Sequence, residues 1–338
     1  MPRAIEETLD AGERTAALEV GSHLDRRDTR CGEVLGCHAC TGQRNSSTGI
    51  RPRGGRYDRV MDLEAASRAS RQLWDAMATG WDERHSYFEE TARPVVDVML
   101  ERLAPRMGDI VVELAAGTGV VGFAASPLVG PGGRVVVSDF APAMVDVATR
   151  LANSLALENV ECRVLDAEHL DLPDGFADGV LCRWGYMLMP NAPAALRETR
   201  RVLRQGGGLS CAVFGDPTEN PWVALPMRVL HERGHVGPPQ AGTPGILALA
   251  DRDRFGGLLS DAGFTDLRFD DVRVSWRFGS MDEYWAFLTD AAGAIATVLA
   301  GLDDAEQRSV RDELSALVAP YGSDDIVLPS LVVVASTH

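Results

Sequence analysis

The sequence predicts an α/β fold built around a mostly parallel sheet. Short apolar runs of strand length alternate with segments whose apolar residues recur at helical spacing. The first run, residues 110–114, carries an acidic residue near its end, and the glycine turn Gly117-Thr118-Gly119 follows before helical spacing begins. A strand, a glycine turn and a helix in this order bring a nucleotide-like ligand onto backbone N–H groups. We therefore expect the ligand site at this turn.

Five strand-length runs and the helices between them form the predicted centre of the sheet. The strands are predicted at 110–114, 134–138, 160–165, 179–182 and 209–214. The intervening helices are predicted at 119–128, 143–156 and 193–203. Pro142 favours the start of the second helix, and Asn191 is a suitable N-cap for the third. Such alternation is typical of a parallel sheet with helices packed against it.

The second half of the chain is predicted to complete the sheet after a helical region. Helices are predicted at 223–233, 251–262, 281–299 and 303–318. A long strand at 266–276 precedes the last two helices, and a final strand at 326–335 follows them. Two strands separated in this way can pair as an antiparallel hairpin, which we place at one edge of the sheet.

The domain organisation follows from where the apolar periodicity begins. Residues 1–60 are rich in Arg, Gly, Ser and Thr with few apolar residues at a regular period, which predicts a mostly disordered tail. We expect a single domain over 61–338 with a cofactor-binding core at about 105–215. Elements that cover the ligand or select the substrate are expected at 61–104, 216–250 and 281–320, and the first of these segments is predicted to form two amphipathic helices.

The composition excludes several functions. All 33 basic residues are Arg, so a Schiff-base lysine and a P-loop lysine are absent. A net charge of −16 argues against nucleic acid as a partner. The sequence has no apolar run of membrane-spanning length and no secretory signal, so we expect a cytoplasmic protein without an integral membrane segment.

The six cysteines do not predict a metal centre. Cys31, Cys37, His38 and Cys40 lie close together, but their spacing fits no standard zinc motif, so we expect no bound metal. The other three cysteines lie in predicted strands and are expected to be small buried apolar residues.

Acidic residues lie at the ends of three predicted strands. Glu113 precedes the glycine turn, Asp139 follows the second strand and Asp166 follows the third. In an open parallel sheet, ligands bind outside the carboxyl ends of the strands. A carboxylate after the second strand can accept hydrogen bonds from both ribose hydroxyls, and one after the third can accept from an adenine amino group. Together with the glycine turn, the three acids predict an adenosine-bearing ligand.

Residues 117–122 also match the Gly-x-Gly-x-x-Gly dinucleotide fingerprint, with Asp139 near the expected distance. An NAD(P)-dependent oxidoreductase is therefore the alternative enzyme class. Two features oppose it. Glu113 would repel a pyrophosphate at the turn, whereas it suits a ligand that carries an ammonium group. Asp166 has no role in the dinucleotide fingerprint.

Five stretches of the chain carry a resemblance to a known family. They are Glu113–Gly119, Ser138–Met144, Asp166–Pro173, Arg183–Gly185 and Arg201–Gly208. In this order they resemble class I S-adenosylmethionine-dependent methyltransferases, and most closely the ubiquinone/menaquinone-biosynthesis C-methyltransferase group. The resemblance implies a Rossmann-like fold whose seven-stranded, mostly parallel sheet has an antiparallel edge strand. It also implies additional N-terminal helices, helical insertions and S-adenosylmethionine as the cofactor.

The resemblance also implies roles for individual residues. Gly117, Thr118 and Gly119 would line the methionine part of the cofactor, beside Glu113 and Ala115, and Asp139 would hold the ribose. Asp166 and Ala167 would border the adenine, with Phe140 or Met144 packed on its face. Arg183 falls where the family places a cofactor-contacting residue, although a small polar residue is usual there. Ala115 stands where many members have glycine.

The predicted reaction is methylation of a small molecule at carbon or oxygen, with a quinone-like, aromatic or polyketide acceptor. Methyl transfer from a sulfonium requires alignment of donor and acceptor, and a general base only where the acceptor must lose a proton. The candidate bases, none of them within a motif, are His85, Tyr186, His231 and His235. Because no base stands out, a non-catalytic cofactor-binding protein remains a further alternative. A homodimer is the expected assembly.

Overall fold

A seven-stranded sheet runs through the computed structural model, which describes residues 57–238 and 242–337. Its strands lie in the spatial order β3-β2-β1-β4-β5-β7-β6. Their bounds are β1 Ile110–Glu113, β2 Arg134–Asp139, β3 Val160–Val164, β4 Ala177–Arg183, β5 Leu203–Phe214, β6 Arg268–Phe278 and β7 Ile326–Thr337. The order reverses between β1 and β4, and this reversal is where an open parallel sheet forms a ligand crevice.

The pairing of the strands confirms the predicted mostly parallel sheet. Strands β1 to β5 are parallel to one another, with Val112 paired to Val136 on one side and to Val180 on the other. The chain's last strand, β7, is antiparallel to both β5 and β6. The expected antiparallel hairpin of the two late strands is therefore present at this edge, with β7 inserted between β5 and β6.

Burial of the strands follows from their sequences. The central strands are short Val-rich runs, and Val112, Val135, Val136 and Val180 have no exposed surface. Strand β6 at the edge instead alternates, with Val272, Val274, Trp276 and Phe278 buried and the residues between them exposed. Continuous apolar runs suit strands covered on both faces, whereas alternation suits a strand covered on one. The aromatic end of β6 thereby faces the interior.

Ten helices flank the sheet within the described residues. Their bounds are α1 Tyr57–Glu83, α2 His85–Leu103, α3 Val120–Val129, α4 Pro142–Ser154, α5 Ala192–Val202, α6 Pro221–Glu232, α7 Arg252–Asp261, α8 Met281–Asp290, α9 Ala294–Ala300 and α10 Asp304–Val318. Helix α2 packs against β5, β6 and β7, α3 against β1 and β2, and α4 against β2, β3 and α1. None of these helices is long and apolar enough to cross a membrane.

One predicted helix is divided in two. The periodicity predicts a single helix over 281–299, but α8 ends at Asp290 and α9 begins at Ala294. Gly293 in the break has a φ of 57°, a left-handed conformation that favours glycine. The Ala291 carbonyl accepts a hydrogen bond from the indole of Trp81 instead of continuing a helix. A hydrogen bond from Trp81, which is distant in sequence, therefore lies at the break in a segment whose apolar periodicity predicts a single helix.

The described residues belong to one compact unit that spans 54–338. Helix α1 begins at Tyr57, so the last four residues of the predicted tail are helical. The rest of that tail lies outside the described residues, and so does the cluster formed by Cys31, Cys37, His38 and Cys40.

A buried asparagine attaches the region after β5 to the sheet. Asn220, with no exposed surface, precedes α6. Its Nδ2 donates to the carbonyl oxygens of Asp216 at 2.9 Å and Leu331 at 3.1 Å, and its Oδ1 accepts from the Ser330 hydroxyl at 2.6 Å. These bonds connect the start of α6 to β7 and fix where α6 leaves the edge of the sheet.

Replacing this residue should be costly. We expect Asn220→Ala to lower the free energy of unfolding by about 2–4 kcal/mol, because the buried Ser330 hydroxyl loses its acceptor and the Leu331 carbonyl keeps only the Gly215 N–H as a donor. Chemical denaturation measures the change. Asn153→Ala, at an exposed position on α4, is the matched control and should change stability by no more than about 0.5 kcal/mol. Equal, small effects for both variants would contradict the structural role of Asn220.

Candidate functional site

A cavity of about 530 Å³ lies at the carboxyl end of the sheet. Its wall includes residues at or just beyond the ends of β1, β2, β3, β4 and β5, among them Ala115, Asp139, Asp166, Arg183 and Phe214. It thus contains the crevice predicted by the strand order, and most of its surface is apolar. An enclosed apolar pocket with a few polar groups is the usual form of a small-molecule site.

The glycine turn after β1 approaches the cavity with its bare backbone. Ala115, Gly117 and Gly119 all have positive φ, of 50°, 55° and 86°. Ala115 therefore adopts the conformation that glycine would tolerate better. Ala115 and Gly117 line the cavity, and a side chain added at Gly117 would meet the indole of Trp81. The turn leaves room for a ligand to approach its backbone closely.

Glu113 is completely buried at the end of β1 and does not line the cavity. Its Oε2 accepts a 2.7 Å hydrogen bond from the Gly122 N–H in the first turn of α3. Burial raises the pKa of this carboxyl group to about 7, and the nearby Arg183 opposes that shift. Glu113 thus occupies one of the amides that a pyrophosphate would use at the helix N-terminus. Glu113 would therefore affect the predicted cofactor by fixing the position of the glycine turn.

Asp139 at the end of β2 lines the cavity while remaining 7% exposed. Its Oδ2 accepts from the Gly117 N–H and its Oδ1 from the Ala141 N–H, each at 2.9 Å. Burial raises the pKa of its carboxyl group to about 6, although both amides favour the ionised form. A carboxylate has about four acceptor positions, so two remain for a ligand. This geometry suits the predicted ribose contact.

Three more predicted cofactor residues lie together near Asp166. Asp166 and Ala167, beyond β3, line the cavity with Phe140, which lies just before α4, and Met144 from the first turn of α4. The Asp166 Oδ1 accepts from the Glu168 N–H at 2.9 Å, which fixes the carboxylate. The predicted adenine residues and the ring expected to pack on an adenine are thus brought to one side of the cavity.

Thr118 and Gly119 are part of the turn but lie outside the cavity wall. The Thr118 hydroxyl is buried and lies 2.9 Å from His85 Nδ1. A side chain at Gly119 would collide with the ring of Phe123, so glycine is required there by packing against α3.

Arg183 at the end of β4 lines the cavity and is only 7% exposed. Its guanidinium lies over the ring of Trp184, 4.1 Å from the centroid, while its Nε and Nη1 have no hydrogen-bond partner among the described residues. Trp184 itself has a φ of 62°, which is strained for a bulky residue. An unpaired cation and a strained neighbour on the wall of one cavity point to a ligand-binding role for this segment.

An aromatic wall, which the sequence analysis did not identify, closes one side of the cavity. It consists of Trp184, Phe214, Trp222, Trp276 and Phe287. The ring centroids of Trp184 and Phe214 are 4.9 Å apart, and those of Trp222 and Trp276 are 4.7 Å apart. These residues come from five separate elements, so no local motif joins them.

Helices α1, α8 and α9 cover the cavity. Trp74 and Trp81 of α1 line it, as do Gly293 and Thr297 near and within α9. The Trp81 Nε1 donates to the Ala291 carbonyl at 3.1 Å. Gly80 allows α1 to approach the carbonyl of Asp290 so closely that any side chain there would collide with it. The helices that cover the cavity thus include residues from 61–104 and 281–320, two of the segments expected to cover the ligand or select the substrate.

The candidate bases lie outside the cavity wall. His85 contacts Thr118, and burial lowers the pKa of its imidazole. Tyr186 is buried with its hydroxyl 2.7 Å from Thr199 Oγ1, and burial raises its pKa well above the usual value. His231 is exposed on α6, and His235 lies 2.7 Å from a carboxylate oxygen of Glu306. Their catalytic role stays a prediction.

Comparison with known families gives a consistent result. Residues 111–207 match the model of a methyltransferase domain. The ubiquinone/menaquinone biosynthesis C-methyltransferase UbiE of Coxiella burnetii is 34% identical over 130 residues, which cover 38% of this chain and 52% of that enzyme. The match thus spans about half the length of that relative. The UbiE of Pectobacterium carotovorum is 30% identical over 174 residues, covering 48% of this chain and 69% of that enzyme.

Two further proteins extend the comparison. Nocamycin O-methyltransferase of Saccharothrix syringae is 33% identical over 189 residues, which cover 53% of this chain and 67% of that enzyme. A solved structure from Bacillus halodurans, assigned as a methyltransferase, aligns with a TM-score of 0.50 at 18% identity, over 71% of this chain and 96% of that one. At that identity the structure shows a shared fold.

The buried Glu113 leads to a prediction about pH. Because its folded-state pKa of about 7 exceeds the usual 4.5, the stability that its protonation contributes is present below pH 4.5 and is lost as pH rises through 7. Glu113→Gln removes this dependence. As pH rises from 5 to 8, the original protein should lose about 2 kcal/mol more unfolding free energy than the variant does.

Denaturant titrations at the two pH values measure this difference. The difference between the two proteins reports the titration of Glu113 together with its coupling to Asp139, whose charge raises the pKa of Glu113. Glu161→Gln removes a carboxylate from an exposed position on β3 and is the matched control for the lost charge. A stability difference between Glu113→Gln and the original protein that stays constant from pH 5 to pH 8 would contradict the assignment.

Proposed function

The chain belongs to the class I S-adenosylmethionine-dependent methyltransferases, and we propose that it methylates a small aromatic or polyketide-like acceptor at carbon or oxygen. The observation that carries this proposal is the division of one cavity into two sides. Gly117, Asp139 and Asp166, which follow β1, β2 and β3, line it toward one end of the strand order, and the aromatic wall lines it toward the other. A polar nucleoside site beside an apolar acceptor site is what methyl transfer to such a molecule requires.

The residues present fit the cofactor. Asp139 has acceptor positions for both ribose hydroxyls, and Gly117 leaves backbone accessible for the methionine part. Asp166 and Ala167 would border the adenine, with Phe140 or Met144 against its face. Glu113, Ala115, Thr118 and Gly119 would hold the turn in place. When bound, S-adenosylmethionine supplies an electrophilic methyl group on a sulfonium.

The chain's own contribution is to orient the acceptor and to exclude water. The aromatic wall offers flat apolar surface on which a planar acceptor can stack. Helices α1, α8 and α9 cover the cavity, which strengthens electrostatic interactions inside it and keeps water away from the reacting groups. None of the candidate bases is needed where the acceptor reacts as an anion.

The names of the similar enzymes indicate a class of methyl acceptor. The UbiE enzymes are named for ubiquinone and menaquinone biosynthesis, and the third relative is named for nocamycin O-methylation. Carried to this chain, these names favour a quinone-like, aromatic or polyketide metabolite. The large aromatic wall supports the same class of acceptor.

The two alternatives have less support. A dinucleotide would place its pyrophosphate at the N-terminus of α3, where the Glu113 carboxylate already accepts the Gly122 N–H. A non-catalytic binding protein would have no need of an apolar cavity larger than its cofactor site. We therefore keep the oxidoreductase and the binding protein only as outcomes of the tests.

The remaining partners and the compartment are also proposals. Cys162, Cys182 and Cys211 are all free thiols, which favours a reducing compartment such as the cytoplasm. The net charge of −16 disfavours nucleic acid as a partner. A homodimer stays a prediction that sedimentation would check.

Calorimetric titration with S-adenosylmethionine, S-adenosylhomocysteine and NADH tests the proposal. We expect binding of the first two without binding of NADH. Asp139→Asn should weaken S-adenosylhomocysteine binding roughly tenfold or more, because the ribose hydroxyls lose acceptor positions. Asp178→Asn alters an aspartate that also accepts a backbone N–H but lies at the opposite end of the sheet, and it should leave the affinity unchanged.

Turnover then separates an enzyme from a binding protein. Transfer of labelled methyl from S-adenosylmethionine to any of a panel of hydroquinones and phenols would support catalysis. Binding of NADH alone would overturn the proposal in favour of the oxidoreductase. Tight S-adenosylhomocysteine binding without transfer to any acceptor would favour the non-catalytic alternative.

A further inference from the structure

Arg183 is a buried cation without a protein partner. Its side chain lies in the cavity wall, yet Nε and Nη1 donate no hydrogen bond. Within the described residues, neither a carboxylate nor any other acceptor bonds to these two nitrogens. The aspartates and glutamates of the surface pair readily with other arginines, as Asp270 does with Arg102 at 2.6 Å. Arg183 differs because its position offers it no such pair.

An unpaired buried charge is expensive, and the fold retains this one as a charge. Burial lowers the pKa of the Arg183 guanidinium to about 10, so it stays protonated at neutral pH. The charged or titratable groups around it are Glu113 from β1, Cys182 from β4 and His85 from α2. Glu113 favours the cation from a distance without forming an ion pair with it, and its Oε2 accepts from the Gly122 N–H. The cation therefore lacks direct compensation until a ligand supplies it.

The place of Arg183 along the sheet edge limits what that ligand is. Strand order puts β4 between β1, which carries the glycine turn, and β5, which carries Phe214 of the aromatic wall. The guanidinium lies on the ring of Trp184, a member of that wall. Its face is thus covered, and its Nε and Nη1 are enclosed by protein, so Nη2 is the guanidinium nitrogen left to meet a ligand at the border between the two sides of the cavity.

The aromatic wall itself offers a ligand mainly apolar ring surface. The Nε1 atoms of Trp184, Trp222 and Trp276 have no acceptor among the described residues, but they are enclosed by protein and do not face the cavity. A ligand in the cavity therefore contacts the rings of this wall, and Arg183 is the cation that lies beside them.

We propose that Arg183 binds an anionic oxygen of the methyl acceptor, which is an aromatic molecule carrying a phenolate, an enolate or a carboxylate. This inference rests on the proposed function. Where the acceptor enters as a neutral phenol or enol, its O–H bond breaks, the proton passes to water, and the guanidinium stabilises the oxygen anion that remains. The positive charge of Arg183 thereby stabilises the reactive anion of the acceptor, so that no general base is needed to remove its proton.

Arg183 is also the one cation among the described residues of the cavity wall, which carries the carboxylates of Asp139, Asp166 and Glu168 as well. A bound sulfonium adds a second cation near the turn, and two cations in one apolar cavity repel each other. An anion between them removes this repulsion. The cofactor's own carboxylate is the other source of an anionic oxygen, and the family resemblance would assign Arg183 to the cofactor. The position beside the aromatic wall favours the acceptor.

The test uses 4-nitrophenol as the probe, because its phenolate form absorbs visible light and binding is read without turnover. The full chain, saturated with S-adenosylhomocysteine, is titrated with 4-nitrophenol and with the neutral isostere 4-nitroanisole. Arg183 should lower the pKa of the bound phenol, so that phenolate binds roughly 10- to 100-fold more tightly than nitroanisole. Arg183→Met should abolish this preference, and Arg183→Lys should restore part of it.

Controls separate the acceptor from the cofactor. Arg134→Met removes an arginine that also lies over an aromatic ring, that of Phe176, but from the opposite end of β2, and it should leave the preference for phenolate intact. Binding of S-adenosylhomocysteine to Arg183→Met should stay within about threefold of the original affinity, since each tenfold loss would equal a lost charged hydrogen bond. Binding of 5′-methylthioadenosine, which lacks the amino-acid part, checks that the nucleoside site of the variant is intact.

The outcomes distinguish this inference from the proposed function. Loss of S-adenosylhomocysteine binding by Arg183→Met, with 5′-methylthioadenosine binding unchanged and the phenolate preference retained, would assign Arg183 to the cofactor and overturn the inference. Equal binding of phenolate and nitroanisole by the original protein, or binding of neither, would also overturn it. A chain that fails to bind S-adenosylhomocysteine at all would contradict the proposed function instead.

Discussion

The hydrogen bond from the Gly122 N–H to the buried carboxylate of Glu113 is the constraint on which the site depends. It joins the end of β1 to the first turn of α3 and so fixes the glycine turn between them. Asp139 accepts from Gly117 in the middle of the same turn. Two buried carboxylates from neighbouring strands therefore hold the backbone that faces the cavity. Both carboxyl groups have raised pKa values because burial penalises their charge.

This arrangement also sets the electrostatics of the cavity. Carboxylates lie at the ends of β1, β2 and just beyond β3, and the single cation of the described wall, Arg183, lies at the end of β4. Beyond it the aromatic wall is apolar except for its indole N–H groups. Polarity thus changes along the sheet edge in the order of the strands, from acidic through cationic to aromatic. A donor and an acceptor of different chemistry can be held side by side in such a cavity.

The sequence predicted the features that are local. The strands, the glycine turn and the acids at strand ends follow from periodicity and spacing over a few residues, and the structure brings Asp139, Phe140, Met144 and Asp166 to the wall of one cavity. The late antiparallel pairing also followed from strand order. The sequence did not predict the direction of the Glu113 side chain, which points into the core rather than into the cavity.

Features that depend on distant contacts could not be predicted. The aromatic wall combines five elements separated by up to about a hundred residues, and no motif links Trp184 with Phe287. The division of the 281–299 helix depends on a bond to Trp81, some 210 residues away. The unpaired state of Arg183 is a property of everything that surrounds it, and residue type alone does not reveal it.

The most direct test of the account is a crystal structure of the chain grown with S-adenosylhomocysteine. We predict that the ribose hydroxyls bind the Asp139 carboxylate, that the adenine lies beside Asp166, and that the sulfur is directed past the glycine turn toward Arg183 and Trp184. A ribose bound away from Asp139, or a ligand lying with its amino-acid part in the aromatic wall, would contradict it. In the first case the nucleoside site would be misassigned, and in the second the acceptor site.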